Sequence, residues 1–266
     1  NATHWLLAWD ASEEVLGEDF NRQVLERLPD ASMACLVFEG GTPHPQGYPL
    51  VTARKGRGGY RVKVEGRSAH AGNYHAQGAN AIVQLAHTIR QLAAITDYPR
   101  QLTVNVGKIS GGSVVNRVPH QAEAQVEMRV FSQQVFDEAH RRIMALDGSS
   151  SVSSQDGFAC RVQVTAEHIS PPWPDNPGSQ ALYETWRQAA AQAGLLALPE
   201  QRGGLSDGNL LWQRLPTLDG LGPSGANAHC SERSADGSKD QEYADLASFI
   251  PKSLINTIAI AELVSR

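Results

Sequence analysis

Across the middle of this chain apolar and polar residues alternate one for one, while on either side the apolar residues come in unbroken runs. Alternation makes a strand covered on one face only; an unbroken run makes a strand buried on both faces, as inside a parallel sheet. Tyr60, Val62 and Val64 alternate with Arg61, Lys63 and Glu65. Residues 101–109 do the same, as do residues 122–130, where Glu123, Gln125, Glu127 and Arg129 take the polar positions. Residues 158–164 supply a further strand. Two stretches at helical spacing interrupt the strands, one on Ile82, Leu85, Ile89 and Leu92, the other on Val135, Ala139, Ile143 and Leu146. The order βαββαβ predicts a ferredoxin-like sandwich with one bare sheet face and an open edge, through which a second copy could pair.

The flanks predict an α/β domain around a parallel sheet. The run Trp5, Leu6, Leu7, Ala8, Trp9 reads as a doubly buried strand, residues 18–28 as a helix with Phe20, Val24, Leu25 and Leu28 on its apolar face, and residues 33–38 as a second buried strand. The proline-rich stretch 170–175 marks a linker. After it come a helix over 180–195, a buried strand over 216–219 and a final helix over 246–264. Residues 1–59 and 170–266 are therefore expected to form one domain, interrupted by an inserted domain over 60–169. A buried strand rarely opens a domain, so the expectation is that sequence has been lost upstream of Trp5; the compartment is left unassigned.

Several function classes are disfavoured. The net charge is −5 and no basic tract stands out, which argues against a nucleic-acid partner. No apolar run approaches the ~20 residues that span a bilayer. Cys35, Cys160 and Cys230 lie far apart, with no Cys-x-x-Cys pair, and suggest neither a disulfide framework nor a cysteine zinc module. Cys230 beside His229 is not read as a joint ligand pair, because neighbouring residues seldom point at one ion.

In open α/β sheets functional groups collect beyond the carboxyl ends of the strands. Three such ends are rich in ligand chemistry here. Glu13 and Glu14 follow the first run, Glu39 ends the second, and the third leads through glycines to His229. Carboxylates with an imidazole suit a divalent zinc, with one carboxylate left over as general base.

The ordered motifs resemble the two-zinc exopeptidase and aminoacylase family, which includes acetylornithine deacetylase and succinyl-diaminopimelate desuccinylase, and within it look closest to the glutamate carboxypeptidase group. They are Asp-x-x-Glu-Glu at 10–14, Leu-Val-Phe-Glu at 36–39, Gly-Arg-Ser-Ala-His-Ala-Gly at 66–72, and Asn-Val-Gly-x-Ile-x-Gly-Gly at 105–112 with Asn-Arg-Val-Pro at 116–119. Glu-Met-Arg at 127–129, Gly-Gly-Leu-Ser-Asp-Gly-Asn at 203–209 and Asp-Gly-Leu-Gly-Pro at 219–223, running on to His229, complete the series.

The resemblance implies an α/β parallel-sheet metallopeptidase domain, here incomplete, carrying an inserted ferredoxin-like dimerisation domain. It also implies a homodimer acting on a small peptide or N-acyl amino acid. Glu13 would be the general base, Glu14, Glu39 and His229 ligands of two zinc ions, and His70 an oxyanion donor reaching a neighbouring subunit's site. Asn116 and Arg129 would hold the substrate's carboxylate, with backbone N–H groups of Gly203 and Gly204 nearby. The residues alone leave rivals open: a turn role for His70 and Asn116, a surface ion pair for Arg129, a helix cap for Asp207. The family's His-x-Asp motif and bridging aspartate are not found here, so the chain as given is expected to bind metal weakly and hydrolyse nothing. A non-catalytic dimerising protein on the same scaffold is the alternative.

Overall fold

A computed structural model describes residues 4–10, 18–237 and 240–265. The chain divides into two compact units, residues 1–54 with 173–266, and residues 55–172.

Unit 2 is built as β3 (Gly56–Glu65), α2 (Ala81–Ala93), β4 (Thr103–Gly111), β5 (Gln121–Val130), α3 (Gln133–Met144) and β6 (Arg161–Ser170). Its four strands form one antiparallel sheet in the order β4-β5-β3-β6, the ferredoxin-like arrangement expected from the alternation. Tyr60, Val62, Val64, Ala124, Val126, Met128, Val162 and Val164 turn to the helices and are almost wholly buried with Leu85, Leu92 and Ile143. Arg61, Glu123, Glu127 and Arg129 hold the opposite face and form ion pairs there. α2 starts on Asn80, whose side chain accepts from the amides of Ile82 and Val83, satisfying two of the helix's orphan donors.

Strand β3 begins four residues before the alternation does. Gly56, Gly58 and Gly59 carry no side chain to alternate, and at Gly58 a Cβ would sit 2.7 Å from the Tyr60 hydroxyl. The inserted domain, expected over 60–169, accordingly compares with a unit of residues 55–172.

Unit 1 holds α1 (Glu18–Arg27), β1 (Cys35–Leu36), β2 (Tyr48–Arg54), α4 (Pro177–Gln192), β7 (Ala197–Arg202), α5 (Gly208–Leu211), β8 (Thr217–Leu218), β9 (Gly225–Ala226), β10 (Tyr243–Ala244) and α6 (Phe249–Ser265). β1 pairs with β8 and β2 with β7, both parallel. Val51 and Asp219 exchange backbone hydrogen bonds of 2.8 and 3.1 Å as an antiparallel bridge, so β2 runs against β8 and the layer is mixed rather than all parallel. Leu50, Leu182, Trp186, Leu218, Leu221 and Ile255 are its core, closed by α4 and α6.

Three expectations need correction in this unit. The run from Trp5 to Trp9 is not a strand: Leu7 is 73% and Trp9 87% exposed. An extended segment needs a neighbour for its N–H and C=O groups, and no described strand pairs with it. The run over 33–38 keeps only two residues of strand, with Phe38 exposed. Finally, Leu246–Ser265 is long and apolar enough to cross a membrane by length and composition, although Pro251 and Lys252 interrupt its apolar residues in sequence. Here it packs into unit 1 through Lys252, Ile255, Asn256 and Ala259, with Trp186 Nε1 donating to Asn256 Oδ1 at 2.9 Å.

Candidate active site

Because β1 and β8 are parallel, the chain leaves both at the same edge. There the two exits are laced together. Gly222 N donates to Glu39 O at 2.9 Å, Gly41 N to Pro223 O at 2.8 Å, and Gly225 N to Gly41 O at 2.8 Å. The approach requires a glycine: a Cβ on Gly222 would lie 2.8 Å from the carbonyl oxygens of both Phe38 and Glu39. Past β9 the chain turns with Asn227 and His229 at φ 63° and 65°. That is left-handed backbone costing a non-glycine residue roughly 1–2 kcal/mol. The His229 amide donates to Glu242 Oε2 at 3.3 Å. The segments carrying Glu39, which is half-buried, and His229, which is exposed, thus come to one sheet edge. Glu13 and Glu14 lie outside the described residues.

The loop with Gly203 and Gly204 follows β7 and is gripped from beneath by a buried ion pair. Arg54 Nε donates to Asp219 Oδ2 at 2.7 Å, with the two side chains 5% and 0% exposed. Arg54 Nη1 reaches Gly204 O at 3.1 Å and Leu205 O at 3.2 Å. Ser206 Oγ donates to the same Asp219 oxygen at 2.8 Å. Asp219 is thereby paired and hydrogen-bonded, as a buried charge must be. Asp207 does not cap α5 through its side chain; Ser206 Oγ instead accepts from Gly208 N, and Asn209 Oδ1 from Ser206 N.

A buried lysine sits under the same edge. Lys252, 2% exposed, donates to Pro49 O at 3.3 Å and also to Gly220 O. Burial, aided by the charge of Arg202 and opposed by Asp219 and Glu200, brings its amine down to about 8. Neither this lysine nor Arg54 stood out in the sequence. Asp219 was the available signal: a carboxylate ending a buried strand calls for a buried donor.

In unit 2, His70 Nδ1 accepts from the backbone amides of Gly72 at 3.2 Å and Asn73 at 3.1 Å. The turn role is therefore real, and it has a chemical result. A nitrogen that accepts two N–H groups carries no proton, so in the neutral ring the proton stands on Nε2 as an outward donor. Asn116 is adjacent: its carbonyl accepts from Ala71 N at 3.0 Å, and His70 bridges Arg117.

Arg129 is elsewhere. It is the penultimate residue of β5, whereas Asn116 precedes that strand's start. Eight steps of about 3.3 Å separate Gln121 from Arg129, on the order of 26 Å. Arg129 Nε pairs with Glu127 at 2.9 Å, and Arg57 takes the other Glu127 oxygen at 2.9 Å. The ion pair that rivalled a carboxylate anchor is present, and one copy of the chain cannot bring Asn116 and Arg129 to the same carboxylate.

Residues 52–146 match the peptidase dimerisation domain of the M20 family. A probable carboxypeptidase of Aspergillus flavus is 30% identical over 139 residues, 47% of this chain and 32% of the relative. A Haemophilus influenzae homolog of one p-aminobenzoyl-glutamate hydrolase subunit is 31% identical over 93 residues, 35% of this chain and 22% of the relative. Unit 2 is thus similar to an M20 peptidase dimerisation domain. A tripeptidase of Staphylococcus aureus has the same fold, with a TM-score of 0.73 at 19% identity over 96% of this chain and 62% of that one. The matches span about a third or less of the curated relatives' length.

The donor types of the chain suit zinc better than their number does. Among the described residues no three His, Cys, Asp or Glu side chains gather as a metal site. Glu39 and His229 make two donors at most, where zinc takes three or four from protein. The described residues do not by themselves fit the ion.

Proposed function

We propose that the protein carrying this chain is a hydrolase that cleaves an amide bond next to a free carboxylate, in a small peptide or an N-acyl amino acid, and that it works as a homodimer. The observation that carries this reading is the fixed orientation of His70. Two backbone amides hold its Nδ1, so Nε2–H is aimed outward as a preorganised donor. Such a donor stabilises the oxyanion of a tetrahedral intermediate without reorganising at the moment of reaction. Asn116 lies beside it in the same loop pair.

Glu13 is the proposed general base, and Glu14, Glu39 and His229 the proposed zinc ligands. With no His-x-Asp motif or bridging aspartate found in its sequence, the chain alone is proposed to hold metal weakly and to turn over nothing. The name of the Haemophilus influenzae relative favours a glutamate-type substrate, in line with the glutamate carboxypeptidase group.

The test uses the full-length protein with an N-acyl glutamate. His70→Ala should lower kcat by about 10²–10³, the usual worth of one oxyanion donor, with KM nearly unchanged. An unchanged kcat would remove His70 from the chemistry. No turnover by the wild-type full-length protein over a panel of acyl amino acids and peptides would leave the dimerising scaffold as the function.

A further inference from the structure

We infer that unit 2 carries a binding site for a small oxyanion of the phosphate class, outside the groups discussed above. An open cavity of about 480 Å³ lies between α2 and the turn after α3. Its lining includes His87, Arg90, Gln91, Ser149, Ser150 and Ser151, and not one carboxylate. A second cavity of this unit, about 510 Å³, mixes Lys63 and Arg117 with Glu65 and Glu123 and has no such bias.

The wall of the first cavity is held by a buried polar anchor. Gln84 is 1% exposed, and its Oε1 accepts from Ser151 N at 2.7 Å and Val152 N at 3.0 Å, fastening the serine turn to the helix. His87 Nδ1 is engaged with Ser151 Oγ at 2.8 Å, which leaves Nε2 for the cavity. Arg90 makes no ion pair among the described residues. Ser149 Oγ is enclosed with no hydrogen-bond partner among them, an arrangement that costs free energy until a partner arrives. A guanidinium fork, an imidazole edge and serine hydroxyls are groups that hold phosphate oxygens. The absence of acidic side chains from the lining removes the repulsion that would keep an anion out. The size of the cavity admits inorganic phosphate or a small phosphate monoester.

The isotope-labelled chain would be titrated with inorganic phosphate at constant ionic strength, following the amides of Ser149, Ser150 and Ser151. Saturable shifts with millimolar or tighter affinity are expected. Arg90→Gln should weaken binding about tenfold or more, because a charge-assisted hydrogen bond is lost. Lys63→Gln, in the other cavity, should change nothing. Repeating the titration with glycerol phosphate separates the sources: tighter binding than phosphate assigns the site to esters, equal or weaker binding to the free ion. Shifts that chloride reproduces, shifts that survive Arg90→Gln, or no saturable response would each overturn the site. Because these readouts involve no turnover, failure here is distinct from failure of the hydrolase reading.

Discussion

Arg54 and Asp219 meet at 2.7 Å in the interior of unit 1, and the same guanidinium holds the carbonyls of Gly204 and Leu205. One interaction thus supports the middle of the sheet and the shape of the loop beside it. Removing one partner strands the other charge. Arg54→Met or Asp219→Asn should cost about 3–5 kcal/mol in denaturant unfolding. The double variant Arg54→Met with Asp219→Asn should lose less than the sum of the two, since neither charge is then left alone. Additive losses would show that the pair is not coupled.

Gly222→Ala tests the lacing of the strand exits. Its Cβ would meet two carbonyl oxygens at 2.8 Å, neither of which is a flexible side-chain end. The exits must part, at about 1–3 kcal/mol for such overpacking. Hydrogen exchange should rise at the Gly41 and Gly225 amides; unchanged exchange there would contradict the geometry.

Lys252 predicts a slope of stability on pH. Its folded value of about 8 lies below the ordinary lysine value, so between the two the unfolded chain binds more protons. Stability should therefore rise as pH climbs from about 8 to 10.5, by roughly 3 kcal/mol in all. Lys252→Met should lack that increment when unfolding midpoints are compared from about pH 7 to 10.5. Parallel profiles for the two proteins would refute it.

Self-association is expected at β4, an edge strand of the four-stranded sheet. Ile109 there is 65% exposed, and Val115 just beyond it is fully exposed. Unpaired edges with apolar residues recruit other strands. A lysine at Ile109 should weaken dimerisation at least about tenfold by sedimentation velocity, since edge lysine opposes strand pairing. An unaltered association constant would move the interface elsewhere.

The sequence disclosed unit 2 more fully than unit 1, for a physical reason. Alternation survives wherever each strand residue has a side chain to place, as from Tyr60 to Glu65; it fades at Gly56, Gly58 and Gly59, where β3 had already begun. β2 escaped notice because Thr52 and Arg54 are polar yet buried, satisfied by partners such as Asp219 far along the chain. The run from Trp5 to Trp9 misled in the opposite sense, since hydrophobicity reports what a segment would bury and not whether a neighbour exists to bury it. Among candidate site residues, the setting of Glu39 and His229 could be anticipated from strand order. The tautomer of His70 could not, because it depends on amide positions within a turn.

The length of β5 has a genetic consequence. It holds Arg129 far from His70 and Asn116 within each copy, so any ligand touching both ends must draw them from different copies. In the proposed dimeric hydrolase two alleles, His70→Ala and Arg129→Ala, would then complement. In a mixed dimer one site receives both substitutions and the other receives neither. Random reassortment of equal amounts would restore roughly a quarter of the sites, whereas two alleles disabling the same end would restore none.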